Sequence, residues 1–138
     1  MLKMKQLDSQ QWVAPQLRPE DAQAIAEAGV KTVVCHRPDG ELHEPHLMHE
    51  SILDALAEFN IELIYQPIEQ LSYPAVTDYK AIIEGCAKPV LSYCTTGTRS
   101  TVLWALMEVM ENARDKTEII VAAGQAGYGI AQYLPEHD

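Results

Sequence analysis

Positive charge is scarce in this chain. Ten lysines and arginines stand against twenty aspartates and glutamates, giving a formal charge of −10. Such a surface repels nucleic acid and anionic membranes, so neither is an expected partner. Cysteine is also sparse: Cys35, Cys86 and Cys94 make an odd set with no zinc-ligand spacing. That excludes a disulfide framework and argues against a metal centre. No apolar run approaches the ~20 residues needed to span a bilayer. The opening residues, Met1 to Asp8, lack the apolar stretch of a secretory signal, so the expectation is a soluble cytoplasmic protein. There is no repeat, linker or low-complexity segment. With 138 residues and 47% apolar content the chain suits a single domain, residues 1–138, around one core.

What is present is an alternation of short β-rich runs with helical patterns. Gln11 to Pro15 reads as a strand placed at an edge or ended by its proline. Pro19 to Ala28 reads as a helix with proline in its first turn and Gly29 after its end. Val30 to Cys35 is a second strand, followed by the turn Pro38-Asp39-Gly40. From Pro45 to Phe59, Met48, Ile52, Leu56 and Phe59 recur at helical spacing. Ile61 to Tyr65 alternates as a strand. Thr77 is a suitable cap for a helix burying Tyr79, Ile82, Ile83 and Cys86. Val90 to Tyr93 is the next strand, and helices follow from Thr101 and from about Asp115. The Gly127-Tyr128-Gly129 segment breaks the last of these. Trp104, Met107 and Met110 sit at helical spacing and read as core. This order indicates an α/β fold, a mostly parallel central sheet flanked by helices on both faces.

Ligands of such sheets bind beyond the carboxyl ends of the strands. Three segments share that rim: Cys35 to Asp39, Gln66 to Glu69, and Cys94-Thr95-Thr96-Gly97-Thr98-Arg99-Ser100. The last joins a strand directly to a helix, with a thiol at one end and a guanidinium at the other. A helix start presents unpaired amides and partial positive charge, which suits an anion. A cysteine there, beside an arginine, ionises more readily, and the thiolate is the reactive form. The expectation is a cysteine nucleophile meeting a small anionic substrate, with Cys94, Arg99, Arg37, Asp39 and Cys35 near one another. Thr95, Thr96, Gly97, Thr98 and Arg37 are the candidate anion-binding residues. No tightly bound cofactor is implied. His43, His46 and His49 repeat at a spacing of three, whereas paired helical metal ligands more typically sit four apart, so they read as a solvated face. Cys86 reads as structural.

Two families use a strand, cysteine loop, arginine and helix in this order. Dual-specificity and tyrosine phosphatases carry His-Cys-x-x-Gly-x-x-Arg-Ser, and single-domain rhodanese sulfurtransferases carry Tyr-Cys-x-x-Gly-x-Arg-Ser. Tyr93-Cys94-Thr95-Thr96-Gly97-Thr98-Arg99-Ser100 has the shorter spacing, four residues between cysteine and arginine, and tyrosine in place of histidine. Beyond the loop, most of the chain resembles a bacterial family of candidate phosphatases, the phosphatase-like domain also found fused to β-lactamase-like hydrolases. The matching stretches are Leu17 to Asp21, Gly29 to Val34, Arg37 to Glu41, and Tyr93 to Leu106. The resemblance implies a dual-specificity-phosphatase-like fold and hydrolysis of a phosphate ester. On that reading Cys94 attacks phosphorus, Arg99 holds the phosphoryl oxygens, and Ser100 donates a hydrogen bond to the thiolate. Glu69 is the first candidate for the general acid and Asp39 the second. The shorter loop supports an alternative, sulfur transfer through a Cys94 persulfide with thiosulfate or glutathione persulfide as donor. Cys35 would then be a redox or sulfur relay. For Cys35 a place in the strand core is the competing reading, and for Arg37 a pairing with Asp39 or Glu41.

Overall fold

Five runs of four residues, two of them bounded directly by a proline, pair into one five-stranded sheet in the computed structural model, which describes residues 2–135. The strands are β1 (Lys5–Asp8), β2 (Gln11–Ala14), β3 (Thr32–Cys35), β4 (Glu62–Tyr65) and β5 (Val90–Tyr93). Their order across the sheet is β1-β2-β5-β3-β4. Only the β1–β2 pair is antiparallel. The α-helices are α1 (Ala22–Glu27), α2 (His49–Ala57), α3 (Tyr73–Gly85), α4 (Thr98–Glu111) and α5 (Lys116–Gln125).

The sheet separates two apolar clusters. On one face Leu17, Ile25, Ile52 and Leu56, from α1, α2 and the segment before them, pack on Val33, Leu91 and Tyr93. On the other, Tyr79, Ile83, Trp104 and Ile119, from α3, α4 and α5, pack on Val13, Val34 and Val90. All four residues of β3 and all four of β5 are buried, as expected of parallel strands covered on both faces.

This topology sets the position of the site. β5 lies between β2 and β3, with Cys35 and Tyr93 as partners at the carboxyl ends. The chain leaves β3 toward α2 on one face and leaves β5 toward α4 on the other. Neighbouring strands whose continuations diverge in this way open a crevice between them. The Cys35–Glu41 segment and the Cys94 loop form its two walls.

The structure departs from the sequence expectations at several local points. β2 is internal, because β1 covers it, and of the two readings of Pro15 the one that ends the strand holds; Lys5–Asp8, with Leu7 its one apolar residue, carries little strand signal. The first helical segment opens as a 3₁₀ turn, Pro19–Asp21, before α1. Met110 is 40% exposed, while Trp104 and Met107 are buried. Thr77 lies inside α3, not at its start. The cap is Ser72, whose Oγ accepts from the Ala75 amide at 3.2 Å, with Pro74 in the first turn. Removing that cap, Ser72→Ala, is expected to cost about 1 kcal/mol. Thr77→Ala should change stability by less than about 0.5 kcal/mol. Urea denaturation of the two variants checks the pair.

Candidate active site

Three rim segments are stitched together by backbone hydrogen bonds past the ends of the strands. The His36 amide donates to the Tyr93 carbonyl at 2.8 Å, the Gln66 amide to Cys35 at 2.9 Å, and the Ile68 amide to His36 at 2.9 Å. The Cys94 loop is thus tied, strand by strand, to the segments carrying Arg37 and Glu69.

Within the loop, Gly97 decides the geometry. It caps the N-terminus of α4 with φ +93°, in the left-handed region that glycine adopts without a steric penalty. That conformation turns its amide onto Cys94, donating to Sγ at 3.1 Å. Its carbonyl accepts from the Thr101 amide at 3.0 Å and hydroxyl at 2.8 Å. A Cβ at this position would also lie 2.1 Å from the Tyr128 hydroxyl. Tyr128 comes from beyond α5 and donates to the Thr96 carbonyl at 3.1 Å. The Thr96 and Thr98 hydroxyls bond to each other at 3.1 Å. Cys94 is buried, and the first-turn amides of Thr98, Arg99 and Ser100 have no acceptor within the helix.

Arg99 does not stand free. Nη1 donates to Glu41 Oε2 at 2.7 Å and to the Ile68 carbonyl at 2.6 Å. Nη2 donates to Glu41 Oε1 at 2.8 Å and, more weakly, to Thr95 Oγ1 at 3.4 Å. Thr95 in turn donates to Glu41 Oε1 at 2.8 Å. The Arg99 bonds are the main force holding the Glu41 carboxyl below its usual range; burial opposes them and Thr95 adds to them. Arg99 itself is pushed up, first by its bonds to Glu41, against burial, and further by the neighbouring Cys94 sulfur.

Behind the loop lies a buried polar chain. Ser100 Oγ is 2.7 Å from His36 Nδ1, His36 Nε2 is 3.0 Å from Gln66 Oε1, and Gln66 Nε2 donates to the Ala75 carbonyl at 3.1 Å. The Gln66 orientation makes its oxygen the acceptor, so His36 carries its proton on Nε2 and accepts at Nδ1. Ser100 is therefore the donor to His36, and its only hydroxyl proton is committed there. The expected Ser100 bond to the Cys94 thiolate is not the one this geometry makes. Burial pushes the His36 pKa down to about 3, against the Gln66 hydrogen bond, so the ring stays neutral.

The other predicted residues are placed as follows. Arg37 is only 1% exposed, with Nε donating to Gln16 Oε1 at 2.7 Å. Its Nη1 and Nη2 are buried without a hydrogen-bond partner among the described residues. Arg37 therefore does not form the expected ion pair with Asp39 or Glu41. Asp39 accepts from the His49 amide at 2.9 Å and from its ring at 2.7 Å. The His49 ring stacks on Tyr65 at 3.8 Å, so His49 does not belong to a solvated face. Burial acts to raise the Asp39 pKa, but the bonds from His49 outweigh it and the net shift is downward. Asp39 is thus held ionised, which disfavours it as a proton donor. Glu69 is exposed and faces an open cavity of about 440 Å³ lined also by Pro38, Gly40 and Glu41. Cys35 faces the opposite side of the sheet, with Tyr93 and Leu91. Its thiol donates to the Arg37 carbonyl, and burial pushes its pKa up to about 11. None of its hydrogen bonds reaches Cys94, an arrangement that fits the strand-core reading better than a relay.

The sequence reading missed Glu41, His36 and Gln66 as partners within the site, although all three lie in or beside the rim segments. Tyr128, between two glycines, carried no signal of its return to the loop.

Residues 3–111 match the family model described as beta-lactamase hydrolase-like protein, phosphatase-like domain. The chain belongs to that family. Among solved structures, a candidate phosphatase of Neisseria meningitidis is 32% identical, covering 95% of this chain and 92% of its own, with a TM-score of 0.83. TpbA of P. aeruginosa, solved as a variant in complex with phosphotyrosine, is 14% identical with a TM-score of 0.70 over 94% of this chain and 77% of its own. Kinase associated phosphatase is 16% identical with a TM-score of 0.71 over 96% and 89%. The fold is that of the dual-specificity and tyrosine phosphatases, and the family is phosphatase-like. No protein of curated function matches the sequence.

Two outcomes follow from this geometry. Gly97→Ala should lower stability by about 1–2 kcal/mol from backbone strain. Tyr128→Phe in the same chain should recover only a small part, since it removes the hydroxyl but leaves the ring Cζ 2.7 Å from the added Cβ and the strain in place; thermal melts of the single and double variants check this. His36 is neutral in the fold but protonates once unfolded, so the unfolded chain binds more protons below pH ~6.5. Stability should therefore fall as pH drops from ~6.5 toward 3, by up to about 1.4 kcal/mol per pH unit from this group. His36→Gln should flatten that slope in urea titrations across the range.

Proposed function

We propose that this chain is a cysteine-dependent phosphatase-type hydrolase, one cytoplasmic domain acting on a phosphate ester. The observation that carries this reading is the Cys94 sulfur, held at 3.1 Å by the Gly97 amide at the start of α4, with Arg99 beside it. Cys94 attacks phosphorus in line, forming a phosphocysteine and releasing the ester oxygen; water then cleaves the S–P bond. The first-turn amides of Arg99 and Ser100, and the Arg99 Nε–H, which has no partner among the described residues, stabilise the charge of the equatorial oxygens. Arg37, buried with both Nη groups unpartnered, adds positive potential behind the Asp39–Glu41 turn. Thr95, Thr96 and Thr98 shape the loop around the anion.

A second reading has its own support. Four residues separate Cys94 from Arg99, and Asp39 and Glu41 are both held below the usual carboxyl range. Sulfur transfer needs no protonated acid: Cys94 would take the sulfane sulfur of thiosulfate, releasing sulfite, and pass it to a thiol.

An aryl phosphate offered to the full chain should release phosphate, and Cys94→Ser should lower the rate at least ~1,000-fold, a conservative bound beside the roughly 10⁶-fold loss seen when a triad nucleophile is removed. Thiosulfate with a cyanide acceptor forms the second arm. Thiocyanate formation dependent on Cys94, without phosphate release, would replace the first reading with the second. Turnover unaffected by Cys94→Ser would remove both.

A further inference from the structure

The buried polar chain behind the loop has a fixed direction. The Ala75 carbonyl of α3 can only accept, so Gln66 turns its Nε2 to that carbonyl at 3.1 Å and its Oε1 to His36 Nε2 at 3.0 Å. Reversing the Gln66 amide would set two oxygens against each other. His36 therefore keeps the single proton of its neutral ring on Nε2, and Nδ1 presents a bare lone pair 2.7 Å from Ser100 Oγ. A hydroxyl has one proton to give. Ser100 gives it to His36. Both side chains are fully buried, so bulk solvent does not compete for that bond. Tyr79 packs edge-on against the imidazole, with ring centroids 5.1 Å apart, and holds the ring in place.

What this direction withholds follows from the position of Ser100. It is the third residue of α4 after the Gly97 cap. Side chains at that position lean back toward the cap amide, and here the cap amide is the group that donates to Cys94 Sγ. The hydroxyl thus lies on the side of the helix start where the sulfur is held, with its proton turned away.

We propose that Gln66 is a positioning residue for the nucleophile: by fixing the His36 tautomer it commits the Ser100 hydroxyl proton to the imidazole and withholds it from Cys94. The inference rests on Cys94 being the nucleophile, and not on whether phosphorus or sulfur is transferred. A thiolate without that hydroxyl bond is the stronger nucleophile and the slower leaving group. Formation of the Cys94 adduct is favoured and its breakdown is slowed. Without an acceptor at position 66 the other tautomer becomes the better one. With its proton on Nδ1, His36 donates to Ser100 Oγ, and the hydroxyl proton is released to the thiolate.

Arg99, with Glu41 on its fork, and Tyr128 from beyond α5 are the charged and titratable groups facing the sulfur; Arg99 is also the charge that acts on His36. None of them is altered in the test. Nitrogen NMR of the full chain with labelled histidine reads which ring nitrogen of His36 is protonated, its signals identified by their loss in His36→Gln. Iodoacetamide alkylation of the Cys94 peptide, followed by mass against pH, reads this thiol apart from Cys35 and Cys86. The variants are Gln66→Met, near in volume but without a strong acceptor, Ser100→Ala, and the two combined.

Wild-type His36 should carry its proton on Nε2, and Ser100→Ala should leave the alkylation midpoint within about 0.3 pH unit of wild type. Gln66→Met should move the proton to Nδ1 and lower the midpoint by about one pH unit, the size of one hydrogen bond to a charged group. Adding Ser100→Ala to Gln66→Met should restore the wild-type midpoint. A midpoint raised by about one unit in Ser100→Ala would mean that Ser100 already serves Cys94, and would overturn the proposal. So would a wild-type ring protonated on Nδ1, a ring still protonated on Nε2 in Gln66→Met, or a changed tautomer with an unmoved midpoint. Should Gln66→Met fail to fold, the wild-type tautomer and Ser100→Ala decide. Turnover unaffected by Cys94→Ser would overturn the nucleophile reading while the tautomer and midpoint shifts remained, which separates that failure from this one.

Discussion

The direction of a single amide governs this site. Gly97 points its N–H at the Cys94 sulfur because its φ of +93° reverses the chain between the end of β5 and the first turn of α4. Each neighbouring constraint supports that reversal. The Cys35–Tyr93 register fixes where β5 stops, the two bonds from Thr101 hold the Gly97 carbonyl, and Tyr128 closes the far side of the loop. A side chain at position 97 would meet both strain and a collision. The loop is therefore a product of the sheet topology, which sends the continuations of β3 and β5 to opposite faces and leaves a crevice between them.

Charge inside the crevice is balanced at short range. Arg99 and Arg37 stand among Glu41 and Asp39, and among the described residues only the Arg99–Glu41 and Asp39–His49 pairs there are joined directly. Neutral groups supply the scaffolding beneath. The Ser100–His36–Gln66 chain satisfies its buried polar atoms in sequence and needs no ionised imidazole. A neutral His36 adds no second positive charge behind the loop, so attraction of an anion falls to the guanidiniums and the helix start. That division is useful in a chain with so strong an acidic excess, where an anion is repelled everywhere else.

Much of this was readable from the residues. The β-rich runs, the turn residues between them and the apolar periodicity gave the parallel sheet, and the sheet gave the rim. The three rim segments do meet. Pairings across the rim were harder to read, because they depend on side-chain reach and not on period. Glu41 lies two residues beyond Asp39 and outreaches it to the loop, while Asp39 turns back to α2. Cys35 lies at the right height, but strand alternation turns it to the wrong face. Tyr128 returns from a segment whose only local signal is a broken helix. The cap of α3 went to Ser72 over Thr77 because Pro74 suits a first turn and Ser72 precedes it.

What becomes bonded to the Cys94 sulfur decides the chemistry of this site. Mixing the full chain with an aryl phosphate, quenching in acid within the first turnover and mapping peptide masses should place a phosphoryl group on the peptide containing Cys94. An added sulfur atom on that peptide after thiosulfate, with no phosphoryl adduct under any quench time, would contradict the phosphatase reading.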